Sequence, residues 1–513
     1  MATSRHVILS EAKDLQLSRA TKITLVAGLV RLLVASFTPL FPDEMYYWDW
    51  TRHLATGYFD HPPMLAWLIW AGAKIGGATP FGVRLMPVVV GTLGAWVLTL
   101  AARRLGDEKA ALWTSVLFAV MPLSAAGLIL ATPDAPLLAT AALTMYAVIR
   151  ALENPPRSRE SLIWWSVAGA AIGLAFTSKY TAILLPVGVF VALVARRELR
   201  ARLAEPGPYV ATIIATAVFS PVISWNARHE WASFAFQLGH GFGAVGGSIL
   251  NRELELLGGQ AGLVTPILFV MMLIAAWKEV RSPSAESREP RTILPFVFAF
   301  VLVFFAYSAV KRRVEANWPA LAYIPATLVL ATHAGGRTWD RWMKSGIALA
   351  GIVSLVTYID AFTPILPVPA PRDPNARAAG WTDFARSVDS LYQPTRSLSS
   401  RRTWLAGNRY QETAALAFHI PTHPVTFSLN IGSRTNQYAL WPTFAQTAQP
   451  NDDLILVVDD LGAGVKHDAV AQLQPHFAFV AEGPPIQLRR NGELVKALRV
   501  WRLNRWKGTW LRE

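Results

Sequence analysis

Asp43 and Glu44 stand just past the end of the first long apolar stretch of the chain, and Asp60 and His61 follow in the segment Tyr58-Phe59-Asp60-His61-Pro62-Pro63. Carboxylates at the edge of an apolar span are costly unless they face solvent, bind a cation or take part in chemistry. Acids in the first turn of a helix gain about 0.3–1 kcal/mol from its dipole, which would account for Asp43 and Glu44 behind Pro42 with no further role. A partly desolvated carboxylate can instead act as a general base toward an attacking hydroxyl. Asp43 is the better placed of the two for that, and Glu44 is the second candidate. Asp60 and His61, stiffened by two prolines, form either a solvated turn or a carboxylate and an imidazole turned toward a metal ion or a phosphate.

Charged residues recur at other span ends. Asp134, in Ala131-Thr132-Pro133-Asp134-Ala135-Pro136, taken alone is a first-turn helix acid; beside the first loop it becomes a partner across a shared cavity. Lys179, in Thr177-Ser178-Lys179-Tyr180, either snorkels outward or joins Arg312 and Arg313 as a clamp on an anionic headgroup. A polar loop over 226–257 adds His229 and His240. His240 and Asp60 are the candidate metal ligands, and a divalent metal ion is the one cofactor these residues suggest. Acids and cations gathered at the ends of different spans suit a reaction on a lipid-linked anionic substrate.

The elements that must carry these residues are membrane spans. Of the 513 residues, 53% are hydrophobic and 16% charged, against roughly 25% charged in soluble domains, and the mean hydropathy is +0.32. Apolar runs of about 20 residues, each long enough for a hydrocarbon core, fall near 23–41, 82–102, 110–130, 134–150, 162–178, 180–195, 209–225, 258–277, 292–310, 317–333 and 345–361. The net charge of +14 is spread over short loops rather than gathered into a stripe, so it marks topology and gives no nucleic-acid partner. There are no cysteines, hence no disulfide and no thiolate site.

Positive charge selects one orientation. Arg103-Arg104, then Arg150, Arg157 and Arg159, then Arg196 to Arg202, Lys278 to Arg291 and Arg337 to Lys344 all fall on the side of the N-terminus, which is therefore inside. The polar residues 1–22, with Arg5, Lys13, Arg19 and Lys22, form an inside segment before a retained first span. Eleven spans place residues 362–513 outside. The first outer loop, 42–81, is rich in Trp and Tyr and reads as two helices lying along the interface. Pro42 starts the first and Gly57 stops it; Pro62 or Pro63 starts the second, which ends near Gly76-Gly77. Lys311-Arg312-Arg313 is the one basic cluster on the outer side. Beyond a proline-rich connector at 364–374, short β-like runs at Asp453–Asp459 and Phe477–Val480 flank a helical pattern around Tyr410 to Phe418, as in a small soluble α/β domain.

Over about residues 20–335 the chain resembles bacterial membrane glycosyltransferases of the GT-C class. Within them it is similar to the family 39/83 group, which holds protein O-mannosyltransferases and aminoarabinose transferases of lipid A, and to its Rgt-like and PMT-like branches. The resemblance rests on Pro42-Asp43-Glu44 with Tyr47-Trp48-Asp49-Trp50, on Tyr58 through Pro63, on Thr132 through Leu137, on Ser178 through Thr181, on Pro221 through Gly241 and on Lys311 through Pro319. It implies a mainly α, polytopic GT-C bundle over 23–361, with interfacial helices in a periplasmic loop; the soluble α/β domain over 362–513 is read from the residues themselves.

It also implies a polyprenyl-phosphate sugar donor, a glycan, lipid or protein acceptor, and transfer on the periplasmic side of a bacterial inner membrane. Asp43 matches the catalytic acid after the first span and Asp134 the second acidic position. Asp60-His61 matches the acid–base pair before Pro-Pro, where aminoarabinose transferases often carry Glu-Lys. His61, Lys179, Arg312 and Arg313 would then meet the donor phosphate. The competing expectation is a secondary transporter or flippase of lipid-linked sugars that uses Asp43, Asp60 and Asp134 as ion sites. A membrane assembly factor is a third, which leaves the charged residues without a purpose.

Overall fold

A computed structural model describes residues 18–242, 247–281, 289–333, 336–370, 372–398, 401–459, 468–490 and 492–510. Most of the N-terminal segment 1–22 lies outside the described residues. The chain divides into two compact units. One comprises Met1–Val34, Pro87–Ser224 and Gln237–Val356; the other comprises Ala35–Met86, Trp225–Phe236 and Thr357–Glu513. The first loop therefore groups with the C-terminal residues.

Six helices among the described residues are long and apolar enough to cross a membrane: Arg19–Phe37, Pro80–Leu105, Asp134–Glu153, Pro206–Arg228, Pro290–Lys311 and Gly336–Phe362. The pair Ile249–Val264 and Pro266–Arg281 makes a seventh, bent by 99°. Large apolar side chains on them stay uncovered, Leu29 at 67% and Ile213 at 68% exposure, as lipid contact requires. The protein is a multi-pass membrane protein.

The eleven apolar stretches of the sequence are not eleven straight helices, and the exceptions have local causes. The stretch 110–130 breaks into Glu108–Val120 and Pro122–Gly127. Pro122 has no N–H to give the Phe118 carbonyl; Ser124 Oγ, at 2.7 Å, and the buried Arg31 guanidinium from the first span donate to it instead. Thr265, at φ 72°, and the proline behind it turn the chain sharply at 265, a left-handed conformation that a β-branched residue seldom adopts. The stretch 317–333 is a 3-10 turn, Trp318–Ala322, followed by the short helix Tyr323–Thr332.

In the other unit the first loop holds the expected two helices, Pro42–Trp50 and Met64–Gly76. Pro63 is the N-cap of the second, and Gly77 at φ 71° ends it. The first helix stops before Gly57, passing into a 3-10 turn at Thr51–His53. Gly57 is needed for another reason: a Cβ there would lie 2.6 Å from the Trp225 ring.

The C-terminal residues build a mixed sheet of β1 (Thr403–Gly407), β2 (Thr426–Ser428), β3 (Asp453–Asp459), β4 (Phe477–Glu482), β5 (Ile486–Arg490) and β6 (Glu493–Trp506). Its order is β2-β1-β3-β6-β4, with β5 paired to β6. The β2-β1-β3 part is parallel and the remainder antiparallel. Helix Tyr410–His419 crosses from β1 to its parallel neighbour β2. Every residue of β3 is buried, which explains its unbroken apolar pattern.

Under that crossover helix Glu412 is fully buried, with Lys496 Nζ 3.9 Å away. Burial pushes its carboxyl up from 4.5 to about 7. The folded state thus holds a proton that the unfolded chain has lost between about pH 4.5 and 7. This contribution to stability is present at low pH and lost as pH rises through that window. Glu412→Gln keeps an oxygen for the Arg409 N–H and removes the titration. In thermal unfolding of the whole protein, the variant should match wild type at pH 5 and exceed it at pH 8. A variant weaker than wild type at pH 8 would contradict this.

Candidate active site

Helix Pro42–Trp50 places Asp43 and Glu44 on its first turn, and the structure separates their duties. Glu44 is 1% exposed and reaches back to accept from Phe41 N at 3.0 Å. Its two oxygens also take Arg84 Nε at 2.7 Å and Nη2 at 2.6 Å, the forked geometry that suits arginine and carboxylate. The rest of the Arg84 guanidinium donates to the carbonyls of Ala35, Thr38 and Pro39 and to Thr38 Oγ1. Glu44 and Arg84 fasten the end of the first span to the loop helix.

Asp43 is only partly buried. One carboxylate oxygen accepts from Tyr410 Oη at 2.7 Å, and the other accepts no hydrogen bond from a described residue. Burial and the adjacent Asp43 charge hold the Tyr410 phenol well above its usual range, so it stays a donor.

Asp60 is engaged on both sides. Its Oδ2 accepts from Tyr46 Oη at 2.5 Å and its Oδ1 from Arg434 Nη1 at 2.6 Å. Tyr46 Oη accepts in turn from Gln437 N at 2.6 Å, and burial followed by the Asp60 charge pushes the Tyr46 phenol far up. The Arg434 guanidinium lies over Tyr410, 5.0 Å from the ring centre, and over Phe236 at 5.3 Å. Asp43, Tyr410, Arg434, Asp60 and Tyr46 therefore form one connected chain. A second tie runs from Tyr438 Oη to Asp49 at 2.7 Å, with Arg52 on the opposite oxygen at 3.0 Å.

His61 lies edge-on to Tyr47, with ring centres 6.0 Å apart. His240 falls within helix Ala232–Phe242, but its side chain lies outside the described residues. No group of three His, Asp or Glu side chains fit for a metal occurs among the described residues. Asp60 has its oxygens on Arg434 and Tyr46.

The other unit brings three of the motif segments together. Asp134, 7% exposed, accepts from Lys179 Nζ at 2.7 Å on one oxygen and from Asn317 Nδ2 at 2.6 Å on the other. Gln260, just before the bend at 265, fixes the Asn317 segment by donating to the Ala316 carbonyl and accepting from Tyr323 Oη, both at 3.0 Å. Asn317→Ala should lower stability by about 1.5 kcal/mol, the lower end for a hydrogen bond to a charged group. An unchanged unfolding midpoint would show that the bond contributes nothing.

Arg312 and Arg313 diverge. Arg312 donates to the Gly239 carbonyl at 3.3 Å and lies 5.7 Å over Trp318. Arg313 pairs with Glu255 at 3.1 Å, with its side chain 71% exposed, an ion pair of the kind worth about 0–1 kcal/mol.

Sequence reasoning missed Tyr46, Arg84, Tyr410 and Arg434. Arg84 looked like one more apolar-span residue, and nothing in the C-terminal sequence marks Tyr410 or Arg434. Asn317 stood inside a quoted motif without a role.

A family model for dolichyl-phosphate-mannose-protein mannosyltransferases matches residues 60–225. The chain is 28% identical over 337 residues to the lipid A galacturonosyltransferase RgtD of Rhizobium johnstonii, covering 65% of this chain and 69% of that protein. It is 34% identical over 143 residues to the undecaprenyl phosphate-alpha-4-amino-4-deoxy-L-arabinose arabinosyl transferase of Pseudomonas aeruginosa, a match covering 27% of this chain and 26% of that protein. ArnT from Cupriavidus metallidurans, solved bound to undecaprenyl phosphate, shares the fold with a TM-score of 0.62 at 15% identity, over 93% of this chain and 97% of that one. The chain is a membrane glycosyltransferase of the GT-C class. Within that class its similarity runs to RgtD and to the arabinosyl transferases.

Proposed function

We propose that this enzyme moves a sugar from a polyprenyl-phosphate donor to a hydroxyl of a lipid or glycan acceptor, on the periplasmic side of a bacterial inner membrane, with Asp43 as the general base. The observation that carries the assignment is the contrast among the acids of the first loop. Glu44 and Asp60 have their oxygens committed to arginines and tyrosines. Asp43 is oriented by Tyr410 through one oxygen and keeps the other for a substrate proton. The donor class rests on the names of the relatives and on the undecaprenyl phosphate bound to ArnT.

In the reaction the acceptor oxygen attacks the anomeric carbon as its proton passes to Asp43. The new glycosidic C–O bond forms while the bond from that carbon to the phosphate oxygen breaks. Polyprenyl phosphate departs with the electron pair, so negative charge grows on its oxygen and fixed cations there lower the barrier. His61, in the same unit as Asp43, is our candidate to meet that charge. In the other unit Asp134 orients Lys179.

Comparing envelope glycolipids by mass spectrometry, with and without this chain, tests the proposal. One glycolipid should lose a single sugar residue in its absence. Identical glycolipid spectra from the two strains would overturn a lipid or glycan acceptor.

A further inference from the structure

Arg434 has donors to spare. A guanidinium carries five N–H groups, and here its described partners are Asp60, the Thr435 carbonyl at 3.4 Å and the Tyr410 phenol beside it. The side chain remains 45% exposed although Asp60 and the rings of Tyr410 and Phe236 fix its position. Arg434 lines a cavity of about 260 Å³ together with Arg409, Tyr410, Gln411, Ser433 and Asn436. Helix Tyr410–His419 begins at that cavity, so the positive end of its dipole and its first N–H groups add to the Arg434 guanidinium, while Arg409 is paired with Asp459 at 3.8 Å.

We infer that this cavity is a phosphate subsite supplied by the C-terminal domain, and that Arg434 binds the phosphate of the donor lipid there. The inference rests on the donor assignment above and adds to the reaction a residue that lies 374 positions from Asp60 of the first loop. Tyr410 links the two ends of the chemistry. It holds Asp43, the proton acceptor, by a 2.7 Å bond and lies under Arg434, the proposed phosphate ligand. The donor's phosphodiester carries one negative charge, and the departing polyprenyl phosphate gains a second as the bond to the sugar breaks. A fixed guanidinium at that oxygen is thus bound more tightly in the transition state than in the ground state.

The test is binding of undecaprenyl phosphate, undecaprenol and inorganic phosphate to the purified full-length protein in detergent, by native mass spectrometry. Wild type should prefer undecaprenyl phosphate over undecaprenol, with inorganic phosphate competing only weakly. Arg434→Ala should weaken undecaprenyl phosphate by about tenfold to a hundredfold and leave undecaprenol unchanged. Arg434→Lys, which keeps the charge and loses the fork, should fall between. Asp60→Asn separates a ligand from a structural tie: with Arg434 intact it should keep or tighten phosphate binding, whereas a mere tie predicts the same loss as Arg434→Ala. Arg434→Ala binding within twofold of wild type, or Asp60→Asn losing as much as Arg434→Ala, overturns the inference and leaves the donor assignment standing. Wild type that does not distinguish undecaprenyl phosphate from undecaprenol overturns both.

Discussion

Asp43→Asn is expected to slow sugar transfer by about 10²–10⁴-fold, the usual worth of general-base assistance, while donor binding stays within a few-fold of wild type. The amide keeps the size of the side chain and can still accept from Tyr410 Oη, so the geometry of the loop helix survives. What is lost is a group able to take the hydroxyl proton. The loss should therefore appear in kcat, with the KM for the donor little changed, the pattern of an interaction made in the transition state. A loss confined to KM would recast Asp43 as a binding residue.

Arg84→Met is expected to cost the fold about 3–5 kcal/mol, the typical penalty for leaving one member of a buried ion pair alone. The pair is 0% and 1% exposed, so water cannot enter to solvate Glu44. The substitution also strips donors from the carbonyls of Ala35, Thr38 and Pro39. Thermal unfolding in detergent should show a large fall in midpoint. Adding Glu44→Gln to Arg84→Met removes the stranded charge and should recover a substantial part of the loss, so the two changes are not additive. Equal midpoints for the single and double variants would mean that the ion pair itself contributes little. Glu44→Gln alone tests the same separation of duties: stability should fall while the residual folded enzyme still transfers sugar.

The sequence showed the positions of these acids better than their partners. Asp43, Asp60, Asp134 and Lys179 stand out because charge is rare near apolar spans, and that argument needs no tertiary structure. It could not tell Asp43 from Glu44 beyond a preference, because the difference lies in Arg84, about one turn into the next long helix in a run that reads as membrane-embedded. Nor could it reach Tyr410 and Arg434. Their neighbourhood displays only the alternation and crossover pattern of a small α/β domain, and contacts across 367 and 374 residues leave no local periodicity. Gly57 was legible as a glycine that mattered, but as a helix stop, whereas its need is clearance for Trp225. The bend at Thr265 was invisible because hydropathy counts apolar residues and is blind to direction. A proline after a β-branched residue carried the signal.

The central claim is that Asp43 drives transfer of a sugar off a polyprenyl phosphate. The most direct measurement uses purified protein with undecaprenyl-phosphate-linked sugar and a lipid or glycan acceptor, and follows both products together. Wild type should release undecaprenyl phosphate in equal amount to the sugar gained by the acceptor, and Asp43→Asn should release neither at a comparable rate. Movement of intact donor across a vesicle bilayer with no undecaprenyl phosphate released, or full product formation by Asp43→Asn, would contradict it.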